Sequence, residues 1–239
     1  MVLPITDDVM NRKHDIHIAI VPDGNRRWAK KRGRPEWYGH AAGARKLREV
    51  ARWCEKHPDI KTVTVYALST ENLQRDGGEL SRLWGIYRDE FRQIANSPET
   101  RKKKVRVNII GNSATWRPDV REAAKEVMTV TRHYTGRVLN ILLAYGSQFE
   151  IINAAKKVVK AGVRRLPLVP ELFNKALMVT QPVDLVIRTG GQHRLSNFLL
   201  FQVAYAEIYF SDALWPDFSK TEFERILKWY ENCQRKFGK

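Results

Sequence analysis

Three short stretches of the chain gather residues able to handle phosphate. The first, "VPDGNRRWAKKRG" (21–33), sets one carboxylate, Asp23, before a glycine, an amide and two arginines: Gly24, Asn25, Arg26 and Arg27. A diphosphate suits that chemistry, because its oxygens can use guanidinium forks, backbone amides and a metal together. Asp23 then reads as a Mg²⁺ ligand, since magnesium favours one or two carboxylates plus phosphate oxygens and water. An equal alternative is a plain Asp-Gly turn with cations coating a helix surface. Lys30, Lys31 and Arg32 read as surface charge.

The second stretch, "STENLQR" (69–75), crowds Ser69, Thr70, Glu71, Asn72 and Arg75 together. Helix capping by Ser69 or Thr70 explains one of the five and leaves the others. The third, "RTGGQHRLSNF" (188–198), flanks a Gly190–Gly191 turn with Arg188 and Arg194, followed by Ser196. It reads as a second phosphate cradle. Beyond it, Glu207 lies inside the otherwise apolar and aromatic "AYAEIYFSDALWPDF" (204–218). A lone carboxylate there needs a partner, a metal or a proton. It is either a structural acid paired with an arginine or a second metal ligand.

Each stretch follows or contains an apolar run. Strands are predicted at 17–21, 62–68, 105–110, 138–144, 184–187 and 207–210, nearly continuously apolar as strands covered on both faces should be. Leu80, Leu83, Trp84, Tyr87, Phe91 and Ile94 follow helical spacing, as do Phe223, Ile226, Leu227 and Tyr230. The second of these helices opens with "SKTE" (219–222), a capping-box pattern. Strand–helix alternation predicts an α/β fold with right-handed crossovers and a largely parallel sheet. Ligands then gather outside the carboxyl ends of the strands, where the polar stretches sit. The basic run "RKKKVR" (101–106) reads as a solvated turn before a strand.

Composition narrows the class. With 239 residues, 43% of them hydrophobic, the chain can bury one core and reads as a single domain over 1–239, with a loose segment at 1–15. A formal charge of +16 predicts an anionic partner: nucleic acid, an acidic membrane surface or a phosphorylated small molecule. Neither G-x-x-x-x-G-K-[ST] nor G-x-G-x-x-G occurs, which disfavours nucleotide binding. Nor is there an interleaved aromatic and basic platform for nucleic acid. Two distant cysteines and no C-x-x-C or H-E-x-x-H spacing exclude a disulfide framework and a structural zinc site. No apolar run approaches the ~18 residues of a membrane span. The first residues are acidic and broken by Pro4, unlike a signal peptide, so the expectation is a soluble cytoplasmic protein.

Two phosphate cradles, acids for Mg²⁺ and a wide apolar interior suggest two diphosphate substrates with greasy tails. "HIAIVPDGNRRWAKKRG" (17–33), "GHAAG" (39–43), "YALSTENLQR" (66–75) and "DLVIRTGGQHRLSNFLLFQVAYAEIYFSDALWPDF" (184–218) closely resemble the cis-prenyltransferase family, whose familiar member is undecaprenyl diphosphate synthase. The resemblance implies a homodimer, a six-stranded mainly parallel sheet surrounded by helices, and a hydrophobic tunnel. It also implies Mg²⁺-dependent condensation of isopentenyl diphosphate onto an allylic prenyl diphosphate, giving a Z-configured product.

Carried over by position, Asp23 would bind the metal and activate the diphosphate, with Glu207 contributing to the metal site. Gly24, Asn25, Arg26, Arg27, Trp28 and His40 would surround the allylic diphosphate. Arg188, Arg194 and Ser196 would hold isopentenyl diphosphate, and Ser69 and Asn72 would orient it and remove its proton. Arg75 and Glu79 match the family as well, and "KFG" (236–238) resembles its Arg-x-Gly tail motif. Glu36 stands where the family usually has an arginine, with Arg34 nearby to compensate. Gln192 replaces a usual glutamate, Leu73 a tryptophan, and "AYGSQ" (144–148) an Asn-Tyr-Gly-Gly-Arg pattern. These departures open a second reading, an irregular or short-chain lavandulyl-type synthase on the same fold. A non-catalytic partner subunit is argued against by Asp23, Asn72, Arg188, Arg194 and Glu207. Peripheral contact with a membrane fits an enzyme that releases a prenyl chain. Trp84, Tyr87 and Phe91 share a helix face, where core packing and tunnel lining are the competing readings.

Overall fold

The computed structural model describes residues 15–160 and 169–233. The first fourteen residues and the 236–238 tail motif lie outside them. All six predicted strands form: β1 (Ile16–Val21), β2 (Ile60–Ser69), β3 (Arg106–Ile110), β4 (Val138–Tyr145), β5 (Leu185–Arg188) and β6 (Glu207–Phe210). They build one all-parallel sheet in the order β3-β4-β2-β1-β5-β6. From β1 the chain leads to β2 on one side, and from β5 to β6 on the other. The order therefore reverses between β1 and β5, where a parallel sheet leaves a crevice at its carboxyl edge.

The helices start where the sequence offers caps. Asp76 precedes α3 (Gly77–Asn96) and accepts from the Gly78 and Glu79 amides at 2.9 and 3.2 Å. Ser219 caps α8 (Lys220–Glu231) through the Glu222 amide at 3.1 Å. The predicted capping box is only half made, because the Glu222 carboxylate instead accepts from Ser211 Oγ at 2.6 Å. That contact ties the helix to the end of β6. The connection from β5 to β6 contains no regular element, and Ser196, Asn197 and Leu199 within it have φ of +50°, +63° and +43°.

Because successive strand residues point to opposite faces, the sheet carries two different surfaces. Ile18, Ile20, Val63, Val65, Leu139 and Ile141 face α2 (Glu36–Cys54), α3, α5 (Pro118–Thr131) and α8. Ala19, Val21, Tyr66, Leu142 and Val186 face the other way, under Phe198, Leu199 and Val203 of the β5–β6 connection. On this second face a polar ladder also crosses four strands. Asn108 Nδ2 donates to Asn140 Oδ1 (2.9 Å), Asn140 Nδ2 to Thr64 Oγ1 (3.0 Å), and Thr64 meets His17 Nε2 at 2.6 Å. The Pro182 carbonyl can only accept, so His17 Nδ1 carries the hydrogen that bridges them at 2.9 Å. Burial pulls the imidazole pKa below the usual 6.5 against the opposing pull of Pro182 and Asp184, which favours the neutral ring.

The basic run 101–106 spans the end of a short helix, α4 (Pro98–Lys102), and the turn into β3. Arg101, Lys102, Lys104 and Arg106 are exposed as expected. Lys103 is not purely solvated, since Glu55 at the end of α2 accepts its ammonium at 2.7 Å.

Candidate active site

The crevice between β1 and β5 holds a cluster of charge around Asp23. Val21 and Arg188 are register partners, so the loop after β1 and the last residue of β5 stand at one level. Arg188 Nη2 donates to Asp23 Oδ2 at 3.0 Å and Arg27 Nη2 to Asp23 Oδ1 at 3.2 Å. The other Arg188 nitrogen, Nη1, bonds the Arg194 carbonyl and, at 2.9 Å, Ser196 Oγ. Backbone supports the acid too: the Asp23 carbonyl accepts from Thr189 Oγ1 and the Trp215 amide. Glycine is required at two points here. Gly24 turns with φ +110° and a Cβ would strike Leu214 at 2.9 Å; Gly190 has φ +86° and a Cβ would lie 2.6 Å from Arg27 Nη2.

These residues line a polar cavity of about 840 Å³, with Asn25, Arg26, Ser69, Asn72, Arg75, Ser196 and Asn197 around it. Two buried polar atoms there have no partner, Arg188 Nε and Asn25 Oδ1. The Arg188 side chain is only 5% exposed, and a buried guanidinium N–H left unbonded calls for an acceptor oxygen. Asp23 is 31% exposed at its side chain. One solvent-reachable carboxylate beside arginines matches magnesium's need for a carboxylate, phosphate oxygens and water, so the residues fit that ion.

Ser69 ends β2 and is locked to Asn72 reciprocally: the Asn72 amide donates to Ser69 Oγ (3.2 Å) and the Ser69 amide to Asn72 Oδ1 (3.4 Å). Glu71 joins them to the third stretch, accepting from Asn197 Nδ2 at 3.0 Å. Burial pushes its carboxyl up, but the bonds from Asn197, its own amide, Ser69 and Thr70 win and hold it low. On the α2 side, Arg75 Nη1 sits 3.0 Å from Glu79 and 3.4 Å from His40 Nε2. Burial, then the Arg75 charge, lowers the His40 pKa, with Glu79 opposing. Glu36 takes the Arg26 guanidinium at 2.7 Å, which holds its carboxyl below the usual range. Arg34 lies over the Tyr38 ring instead of reaching toward the cavity. Gln192 Oε1 accepts from Arg194 Nη1 at 2.6 Å.

Below this cavity runs a second one of about 360 Å³, between α2 and α3 and floored by Val65, Ala67, Val107, Leu139 and Ile141. Pro22, Asn25, His40 and Ala67 line both, so a polar mouth opens into an apolar tunnel. Tyr87 and Phe91 line the tunnel. Trp84 does not; it packs into the cluster with Val120 and Ala124 of α5.

Four expected site residues do not line the polar cavity: Glu79 and Arg194 stand just behind it, on Arg75 and Gln192, and Trp28 and Glu207 are directed elsewhere. Trp28 donates its indole N–H to Asp217 (2.7 Å), stacks on Tyr38 and lies under Arg32, so its ring is committed elsewhere. Glu207 pairs in register with Leu185, three residues before Arg188, which puts it at the opposite end of the strands from Asp23. Within one chain the two acids share no ion, and no cluster of three metal-ligating side chains occurs among the described residues. β6 is an edge strand and Glu207 is half-buried, so water can reach the carboxylate. Conversely, Lys30 lines the polar cavity, as do Tyr66, Gln148 and Asn197. Lys30 follows Arg26 by four residues on one helix, a spacing that puts them on one face.

An anion cradle opening into an apolar tunnel defines a transferase acting on diphosphates with hydrocarbon tails. A family model described as putative undecaprenyl diphosphate synthase matches residues 21–238. The tritrans,polycis-undecaprenyl-diphosphate synthase (geranylgeranyl-diphosphate specific) of Pyrococcus abyssi is 43% identical over 93% of this chain and 86% of its own. The ditrans,polycis-undecaprenyl-diphosphate synthase ((2E,6E)-farnesyl-diphosphate specific) of Haemophilus ducreyi is 40% identical over 93% of both. Among solved structures, lavandulyl diphosphate synthase from Lavandula x intermedia, in complex with dimethylallyl diphosphate, superposes with a TM-score of 0.85 at 30% identity, covering 93% of this chain and 98% of that one. A probable undecaprenyl diphosphate synthase from Campylobacter jejuni gives 0.79 at 34% identity, with the same coverage. The chain belongs to the undecaprenyl diphosphate synthase family. It is a cis-prenyltransferase, condensing isopentenyl diphosphate with an allylic prenyl diphosphate into a Z-configured polyprenyl diphosphate.

Proposed function

We propose that this enzyme elongates an allylic primer to a long polyprenyl diphosphate of the undecaprenyl class, and that it does so with magnesium held at Asp23. The observation that carries the reading is the Asp23–Arg188 pair at the mouth of the tunnel. In this reading Gly24, Asn25, Arg26, Arg27 and His40 surround the allylic diphosphate, whose tail enters the tunnel. Arg188, Arg194 and Ser196 hold isopentenyl diphosphate, with the free Arg188 Nε–H supplying a further bond. Bound magnesium would supply Lewis-acid stabilisation of the charge that develops on the leaving diphosphate. The arginines stabilise the same charge through preorganised bonds. Ser69 and Asn72, fixed to each other, orient the second substrate and receive its proton. Arg75 and Glu79 hold His40 in place.

The enzyme acts as a homodimer. Ile152 and Val159 on α6 (Ser147–Lys160) and Leu200 and Tyr205 near the unpaired edge of β6 are exposed apolar side chains that support this. It works in the cytoplasm, in peripheral contact with anionic lipid. No helix among the described residues is long and apolar enough to cross a membrane. Arg101, Lys102, Lys104 and Arg106 make no ion pair among the described residues and flank the far end of the tunnel, which supports lipid contact.

The test is incubation with Mg²⁺, labelled isopentenyl diphosphate and dimethylallyl, geranyl, farnesyl or geranylgeranyl diphosphate, followed by sizing of the products. A ladder rising in five-carbon steps is expected from farnesyl or geranylgeranyl diphosphate. The irregular reading is favoured by the Gln192–Arg194 and Glu36–Arg26 contacts, which engage two substrate arginines. It requires a branched ten-carbon product from dimethylallyl diphosphate alone, and that result would replace the elongation reading.

A further inference from the structure

The irregular connection from β5 to β6 takes its shape from what its residues bond, and Asn197 bonds in two directions. It follows Ser196 directly and has a left-handed backbone, φ +63°, which asparagine adopts more readily than most residues. Its carbonyl accepts from the Ser147 amide at 2.8 Å and its side-chain Oδ1 from the Gln148 amide at 2.9 Å. Both amides open α6, where no intrahelical carbonyl is available to them. These two bonds are structural and seat the connection on the start of that helix. The third runs the other way: Nδ2 donates to Glu71 Oε1 at 3.0 Å, and Glu71 lies between Ser69 and Asn72 in the chain, just past the end of β2. A backbone amide only donates and an ionised carboxylate only accepts, so the two ends of the Asn197 side chain cannot be exchanged. Asn197, Ser196, Glu71 and Asn72 all line the polar cavity.

We infer that Asn197 is a positioning residue that fixes the spacing between the Arg188–Ser196 cradle and the Ser69–Asn72 pair. The inference rests on the reading above, in which the cradle holds the diphosphate of isopentenyl diphosphate and the pair receives the proton that its hydrocarbon end loses. The two sets stand on β5 and β2, with β1 between them, so no strand ladder ties one to the other directly. Ser196, next to Asn197, bonds Arg188 Nη1 at 2.9 Å, and Glu71 is next to Asn72. One side-chain amide therefore links the two sets. Isopentenyl diphosphate is short and is held at both ends, so an error in that spacing turns its reacting carbon away from the primer. Its diphosphate contacts are untouched. Binding then survives while turnover falls. The role requires no contact between Asn197 and substrate.

The direct test is Asn197→Asp. The new carboxylate still accepts from the Gln148 amide and suits a helix N-terminus, so a purely structural role predicts parent-like stability and turnover. Toward Glu71, however, it replaces a hydrogen bond with a repulsion. With isopentenyl diphosphate and farnesyl or geranylgeranyl diphosphate, kcat of the first condensation is expected to fall about 10²-fold. The KM for the primer and the melting temperature should stay near the parent's. The exchange Asn197→Asp/Glu71→Gln reverses donor and acceptor, keeps the parent's charge, and is expected to recover most of the lost kcat. Parent-like kcat in Asn197→Asp would overturn the proposal. So would a raised KM for isopentenyl diphosphate with kcat unchanged, which charge repulsion alone would give, or an exchange variant as slow as the single one. If the parent forms no product from isopentenyl diphosphate with any primer, the elongation reading fails and takes this inference with it. A normal parent ladder that the substitutions leave untouched sinks this inference alone.

Discussion

The two faces of the sheet start from the same alternating strands and finish differently. On the face toward the β5–β6 connection, Tyr66, Phe198 and Leu199 close the packing. Even the buried acid there is satisfied: Glu150 accepts from the Tyr145 hydroxyl, from the Met178 and Val179 amides at 2.7 and 2.9 Å, and from Gln202 at 3.0 Å. On the opposite face, the helices α2 and α3 leave a tunnel where a packed core would normally fill the space. The closed face therefore anchors the fold, and the open face is free to take an apolar ligand. Charge follows the same division: Glu150 is buried with all its contacts made on one side, whereas at the tunnel mouth the buried Arg188 keeps a free Nε and Asp23 remains reachable by solvent.

Substitutions can break or sharpen that contrast. The largest effect is expected at the mouth: Asp23→Ala should lower kcat by about 10³-fold or more with Mg²⁺ present, while the protein still folds with a lowered melting temperature, because the buried Arg188 guanidinium loses its carboxylate. Near-normal turnover would remove Asp23 from the mechanism. On the closed face, Glu150→Ala strands four buried donors and should cost about 3 kcal/mol or more in urea unfolding. Any loss of activity there should follow loss of folded protein. Ala44→Leu, which fills the tunnel, should change stability by less than about 1.5 kcal/mol and shorten the product ladder. A large destabilisation without shortening would mean that the space is packed rather than open.

The smallest effect concerns pH. His17 and His40 both have pKa values lowered by burial, so the unfolded chain takes up protons first as pH drops through 6.5. Stability is then full above that value and declines below it. The urea midpoint should fall on acidification, and His17→Gln should flatten the slope without removing it, since His40 contributes in the same direction.

Much of this was legible in the residues. Nearly unbroken apolar runs gave all six strands, with ends displaced by one or two residues, and polar stretches at strand ends led directly to Asp23, Ser69 and Arg188. What stayed hidden depended on direction. Trp28 follows Arg27 immediately, yet its indole turns to Asp217, a partner 189 residues away. Trp84 and Tyr87 are three residues apart on one helix, and only Tyr87 reaches the tunnel. For Glu207 the missing information was register: a strand of four residues has two ends, and its acid stands at the one away from the site. Lys30 reads as surface charge in sequence because its spacing of four from Arg26 is matched by that of Lys31 from Arg27, and only Lys30 lines the cavity.

The polar ladder of Asn108, Asn140, Thr64 and His17 has a role in assembly as well as in packing. Strands this uniformly apolar offer many near-equivalent alignments, and sliding one by a single residue turns its side chains to the opposite face. Such a slip in β2 or β4 would carry Thr64 or Asn140 out of reach and strand buried polar groups in hydrocarbon. The ladder thus works as a set of alignment marks at the amino end of the sheet. By fixing how far each strand runs, it sets β2 to extend beyond the tip of β1 by a constant step at the carboxyl end, and so fixes the spacing between the polar stretches that follow Val21 and begin at Ser69.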